Sequence, residues 1–236
     1  MSAVRSTTKL HLTGRESTFL VPVYITATVT LLSVLISLVF WRSGSLPGTA
    51  GWIEGSQSNP GTVYPLVGFL SYMGVASVAT PFSFALTLGA TRRAFVAGRF
   101  VWDAITAAYI AVLLATLTMM KIAADHWFDG FYIFDITALG GGDIGRLLVI
   151  VFLGVLVALT VGGVFGAAWV RFGARGPQLI AAGAVIAIAP AAILLVPEAS
   201  SLLAAFEAWW LAVAAAALIA LSSVATWLLL RPAVVR

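Results

Sequence analysis

Six long stretches of this chain carry no Asp, Glu, Lys or Arg: residues 17–41, 55–91, 104–120, 147–170, 176–197 and 208–230. A helix needs about 20 apolar residues to cross a bilayer. A charge at the bilayer centre costs about 2.5–3.5 kcal/mol on the insertion scale. The spacing therefore predicts an all-α membrane protein with spans near 19–41, 63–88, 101–123, 147–170, 178–197 and 208–230. The third window is short, and Val101, Trp102, Ile122 and Ala123 extend it past Asp103 and Lys121. Closed β-barrels are the only other spanning design, and their strands alternate in polarity over about ten residues. These runs are continuous and longer. Composition agrees: 61% of residues are hydrophobic and 9% charged, against roughly 25% charged in soluble domains. That balance excludes a soluble enzyme and a disordered tail, and it predicts one transmembrane domain over 1–236.

The charges then set the orientation. One set of flanks holds ten basic residues: Arg5, Lys9, Arg15, Arg92, Arg93, Arg99, Arg171, Arg175, Arg231 and Arg236. The other holds three, Arg42, Lys121 and Arg146. The positive-inside rule places both termini in the cytoplasm. The basic pI near 9.9 is thus read as topology, with no nucleic-acid partner. The chain has no cysteine, which removes disulfides, thiol nucleophiles and zinc–thiolate sites.

Candidate chemistry is sparse. Thr26, Thr30, Ser33 and Ser37 recur at spacings of four, three and four along one face of the first span. Such a face either lines a polar path or packs against neighbouring helices. Gly162 and Gly166 form a GxxxG with Gly163 beside them, a spacing that lets helices approach closely. No charge is expected centrally in any span. His126 stands near Asp125 and Asp129, but an exposed acidic loop accounts for all three, and no metal site is expected. The first connection, 42–61, is rich in Gly, Ser and Pro and gives little reason to pack. Residues 1–18 are expected to lie along the membrane surface, with Ser17 or Thr18 capping the first span. No HExxH, GxSxG, SxxK or phosphate-binding GKS/GKT pattern occurs. The chain itself is therefore expected neither to bind a cofactor nor to hydrolyse ATP.

The most informative segment joins spans two and three. Gly89 is placed to end the second span. Leu88, Gly89, Ala90 and Thr91 then lead into Arg92 and Arg93, with Phe95 and Arg99 following. The stretch from Phe82 to Phe95, F-S-F-A-L-T-L-G-A-T-R-R-A-F, resembles the F-P-F-A-L-x-L-G-x-T-R-R-x-F segment of permeases of bacterial ABC type-2 transporters, particularly small actinobacterial ones. The segment around Lys9–Leu12 and the aromatic stretch from His126 to Asp135 agree more weakly. Ser83 stands where the family often has proline, and Pro81 lies two residues earlier. The resemblance implies a six-span ABC type-2 exporter-like membrane domain in a bacterial cytoplasmic membrane. It also implies a second permease copy or homologue, and a separate cytosolic ABC ATPase that holds the ATP and Mg²⁺. On this resemblance the residues from Leu88 to Arg99 form a coupling element that docks on the ATPase. Its cargo would be amphipathic: peptide, lipid or drug. An intramembrane enzyme and a membrane scaffold or sensor without transport remain alternatives.

The charge asymmetry has a direct test. A reporter fused after Arg236, or inserted between Gly89 and Gly98, is expected to read cytoplasmic. One inserted among Gly140, Gly141 and Gly142 is expected to read external. Finding the two cytoplasmic sites on opposite faces would end the six-span topology.

Overall fold

A computed structural model describes residues 3–124, 126, 131–198, 200–201 and 207–233. The described residues are 85% helical, with no strand among them. In chain order the helices are α1 (Ala3–Leu12), α2 (Val21–Arg42), α3 (Ala50–Gln57), α4 (Val63–Ala79), α5 (Pro81–Thr87), α6 (Arg92–Ala123), α7 (Ile144–Phe172), α8 (Arg175–Leu195) and α9 (Ala208–Leu230). Six helical segments are long and apolar enough to cross a membrane: Glu16–Arg42, Ala50–Thr87, Arg92–Ala123, Ile144–Phe172, Arg175–Glu198 and Ala208–Leu230. This is a multi-pass helical membrane protein.

Within the single domain expected from sequence, packing resolves two compact units. One comprises Met1–His11, Ser71–Val101 and Val157–Arg236, and the other Leu12–Leu70 and Trp102–Leu156. In the first unit, Phe82, Phe95, Val78, Ala167 and Leu230 form a buried apolar cluster. Phe82 and Phe95 meet edge to face, with centroids 5.2 Å apart, a geometry that aromatic quadrupoles favour. The glycines of α7 explain how its helix pair closes. A Cβ on Gly162 would collide with the Ser71 carbonyl, and one on Gly166 would lie 2.5 Å from the Val75 carbonyl oxygen. Gly74 on α4 meets the Leu159 carbonyl in the same way. The GxxxG is thus spent on α4 of the same chain.

In the second unit, the Tyr109 hydroxyl donates to the Phe19 carbonyl at 2.9 Å, and the two rings pack edge to face. The Trp102 indole donates to the Thr18 hydroxyl at 3.3 Å. Thr18 is therefore a buried acceptor, and Ser17 bonds back to the Gly14 carbonyl. Neither caps the first span. The 42–61 connection also departs from expectation. It forms α3, which buries Trp52 and Ser56. Trp52 meets Phe131 edge to face, and the Ser56 hydroxyl accepts from the Tyr132 amide at 3.1 Å. Thr62 donates to the Ile133 carbonyl at 2.8 Å. Short-range composition hid these contacts, because their partners lie 71 to 79 residues away in sequence.

Two span boundaries follow from single residues. Pro81 lacks an amide hydrogen, and the second span divides there into α4 and α5. Gly89 ends α5 at φ +81. The Ala90 amide bonds to the Ala85 carbonyl and the Gly89 amide to the Leu86 carbonyl, both at 3.0 Å. This is the Schellman pattern, which needs a left-handed residue. By contrast, α8 continues through Pro190.

The glycine contacts make a contrast within one helix. Gly162→Leu is expected to lower thermal stability in detergent by about 1–3 kcal/mol, the usual range for overpacking. Gly154→Ala, where an added Cβ meets nothing within 4 Å, is expected to be neutral or slightly stabilising. Equal melting shifts would contradict the α4–α7 crossing.

Candidate functional site

The junction expected to couple spans two and three is held firmly by its own chain. After the Gly89 turn, α6 starts at Arg92 and runs without interruption to Ala123. Residues 92–100 are therefore the first turns of a span, nine residues ahead of the boundary expected at 101. Phe95 is 0% exposed, and the His11 ring lies 5.3 Å from it. Arg92 donates to the carbonyls of Arg231 and Ala233, the latter at 2.8 Å. Arg99 is 3% exposed. Its Nε donates to the Ser77 hydroxyl at 2.8 Å and its Nη2 to the Leu159 carbonyl at 2.6 Å. Gly163 is what makes room for it, since a Cβ there would strike the guanidinium. Sequence reading had given Phe95, Arg92 and Arg99 outward roles. The structure turns Phe95 and Arg99 inward and ties Arg92 to the C-terminal segment. Leu88, Gly89, Thr91 and Arg93 are the exposed members of the set, and Ala90 is half-buried.

The N-terminal segment covers this junction. Thr7 donates to the Ala94 carbonyl at 2.8 Å and Thr8 to the Gly98 carbonyl at 3.0 Å. These are carbonyls near the start of α6. A Cβ at position 98 would collide with the Thr7 hydroxyl, so Gly98 permits the approach. The segment expected to lie along the membrane surface is a helix docked on the start of α6. Burial, with the Arg99 guanidinium adding to it, pushes the His11 imidazole down to about 4.

The structure adds the burial of the charged side chains of α6. Arg99 and Asp103 lie one turn apart on α6, and Asp103 is fully buried. Lys121, near the other end of α6, is buried as well. The sequence windows placed these residues at span edges because they count only uninterrupted apolar runs. Intramembrane ionisable side chains persist where protein partners accept them. Arg99 meets this requirement within the first unit.

The hydroxyl face of the first span divides in the structure. Thr26 donates to the Pro22 carbonyl at 2.7 Å, Thr30 to Thr26 at 2.8 Å and Ser37 to Val34 at 2.7 Å. These groups are satisfied within their own helix. Thr26 and Thr30 line a cleft of about 440 Å³ together with Leu113, Leu117, Lys121 and Phe134. Ser33 and Ser37 do not. Beside that cleft, His126 Nδ1 lies 2.7 Å from Asp135 Oδ2, and its ring stacks on Tyr132 at 4.6 Å. Lys121 donates to the Phe131 carbonyl. Asp125 and Asp129 lie outside the described residues. Among the described residues no three His, Cys, Asp or Glu side chains are grouped to hold a metal.

Comparison of the chain with family models, with curated proteins and with solved structures gives no match.

The His11 environment predicts a pH dependence with a definite sign. Its imidazole titrates near 6.5 when unfolded and near 4 when folded. The unfolded segment therefore takes up more protons between these values, and docking of α1 weakens as pH falls from 6.5 to 4. Above 6.5 the contribution is constant. The protection factors of the Thr7 and Thr8 amides, taken relative to intrinsic exchange at each pH, are expected to fall as pH drops across that window, and His11→Phe is expected to flatten the dependence. A pH-independent wild type would contradict the buried neutral imidazole.

Proposed function

We propose that this chain is the permease subunit of an ATP-driven ABC exporter of the type-2 class, in a bacterial cytoplasmic membrane with both termini cytoplasmic. A separate cytosolic ATPase, carrying ATP and Mg²⁺, would energise it. The observation that carries the reading is the build of the junction. Residues 88–93 form a tight turn closed by the Gly89 cap, with an exposed leucine and an exposed arginine, and the start of α6 is hydrogen-bonded to α1, α4, α7 and the C-terminal segment. A motor that pushes on such a turn moves whole helices, whereas a flexible loop would absorb the stroke. Leu88 is 66% exposed. Arg93 stands beside it, and Arg5 and Lys9 on α1 add basic charge.

A paired permease fits the fifth span. In the segment Arg175–Glu198 no part of the most apolar window is buried within the chain. That surface suits contact with lipid or with a second copy or homologue, and six spans form half of such an exporter's membrane portion. The amphipathic cargo class (peptide, lipid or drug) is supported by walls of apolar and hydroxyl side chains rather than ion-binding clusters.

The test uses the exposed residues of the turn, because changing Phe95 or Arg99 would disturb the fold itself. The chain is purified from native membranes with its bound proteins, and the associated ATPase is identified by mass spectrometry. Leu88→Asp combined with Arg93→Glu is expected to weaken ATPase retention about ten- to hundredfold, since burying a leucine contributes about 1.5–3 kcal/mol. The permease is expected to stay folded. Recovery of an inert chain with no ATPase, from wild type and double variant alike, would contradict the transport reading and favour a scaffold.

A further inference from the structure

We propose that the first span is a hinged gate: α2 swings about the turn at residues 16–22 and closes its outer half onto α6. The hinge is built into the backbone. Residues Glu16–Leu20 form a π-helical turn, in which the Val21 amide reaches back five residues to the Glu16 carbonyl. Wide turns of this kind and prolines are the usual places where helices bend. Pro22 follows at once, buried, and has no amide hydrogen to continue the helical ladder. Side chains of α6 grip the turn from outside. The Trp102 indole donates to the Thr18 hydroxyl, and the Tyr109 hydroxyl donates to the Phe19 carbonyl. The inner end of the span is thereby fixed at the point where its own ladder is weakest.

Beyond the hinge α2 is loosely held. Past Val29 its one buried side chain is Ser37, while Leu31, Leu32, Leu35, Val39 and Phe40 are exposed. Only 17% of the most apolar window of this span is buried, against 44% for Arg92–Ala123. Two clefts flank the loose part. One, of about 440 Å³, parts Ala27, Thr30 and Val34 of α2 from Leu113, Leu117 and Met120 of α6. The Thr26 and Thr30 hydroxyls are spent on carbonyls of their own helix, so the α2 wall can pack dry against the facing one. The other cleft, of about 460 Å³, lies between Ile36 and Phe40 of α2 and Trp52 of α3. Closing the first widens the second. The connection from α2 to α3 can follow, since it is exposed and carries Gly44 and Gly48 at φ +100 and +77, residues that take many backbone conformations. In lipid an apolar wall gains little by exchanging hydrocarbon for another helix. The open and closed positions therefore lie close in free energy, and both are populated.

The inference goes beyond the transport reading and stands without an ATPase, so its test uses the chain alone, which has no native cysteine. The variant with Thr30→Cys and Leu117→Cys, one on each wall of the cleft, is placed in phosphocholine nanodiscs. Spin labels on this pair are expected to show two distances by pulsed electron resonance, one for each position of α2. Oxidation of the unlabelled pair with copper phenanthroline is expected to form a disulfide, which needs Cα atoms within about 7 Å. Thr28→Cys, which does not line the cleft, is expected not to pair with Leu117→Cys. Straightening the hinge, by deleting Ser17 from the wide turn and changing Pro22→Ala, is expected to shift the labels to the longer distance. It is also expected to slow disulfide formation about tenfold or more, because an uninterrupted helix curves only gently. A single narrow distance with the native hinge would show a static cleft and overturn the proposal, whether or not the straightened variant folds. Unchanged crosslinking in a folded straightened variant, or equal crosslinking from Thr28→Cys, would overturn it as well.

Discussion

The buried guanidinium of Arg99 is the interaction around which the first unit is organised. A charge held in apolar surroundings is tolerated only when its donors are matched, and here the acceptors come from two other helices. Ser77 on α4 and Leu159 on α7 accept its hydrogen bonds. Gly163 yields the space. α1 then lies over the same region, with His11 against Phe95 and its imidazole held neutral partly by Arg99. Three helices and the N-terminal segment thereby share one polar centre, and the exposed turn at Leu88 projects from that assembly.

Close glycine crossings make the arrangement possible. In lipid, helices gain little from burying apolar surface against one another, so small residues and satisfied polar groups carry association. Gly74, Gly162 and Gly166 bring α4 and α7 near enough for backbone contact, which in turn sets Ser77 and Leu159 within reach of Arg99. Gly98 does the same for α1 at the start of α6. The hydroxyls follow a parallel rule. Those of Thr26, Thr30 and Ser37 turn back onto their own helix, Thr62 reaches a carbonyl elsewhere in the chain, and Thr7 and Thr8 lie within bonding distance of both kinds. Position along the sequence does not distinguish these uses. The register of the neighbouring backbone does.

That difference explains what the sequence disclosed. The six helices were legible because the cost of charge in hydrocarbon leaves long uninterrupted runs, and the Gly89 stop was legible because a left-handed cap favours glycine. The start of α6 was not. Arg92, Arg93 and Arg99 read as flanking charge, and only a partner such as Leu159, sixty residues on, lets Arg99 lie inside the packed helices. Phe95 was read as a docking side chain because its local neighbours are basic; its cover comes from Phe82 and from His11 at the far N-terminus. Packing of Trp52 and Ser56 escaped for the same reason, since Phe131 and Tyr132 are remote in sequence. The cleft along α2 was half visible, as a hydroxyl face, without the Lys121 that lies beside it.

Residues 88–99 form a packed hub with a narrow exposed edge. The chain lacks cysteine, so single-cysteine variants report each position without background. Leu88→Cys, Arg93→Cys and Ala97→Cys are predicted to react quickly with a membrane-impermeant thiol reagent in the folded protein, while Ala94→Cys and Phe95→Cys stay protected until denaturation. Uniformly fast labelling across all five positions would show a free basic loop and contradict the packed hub.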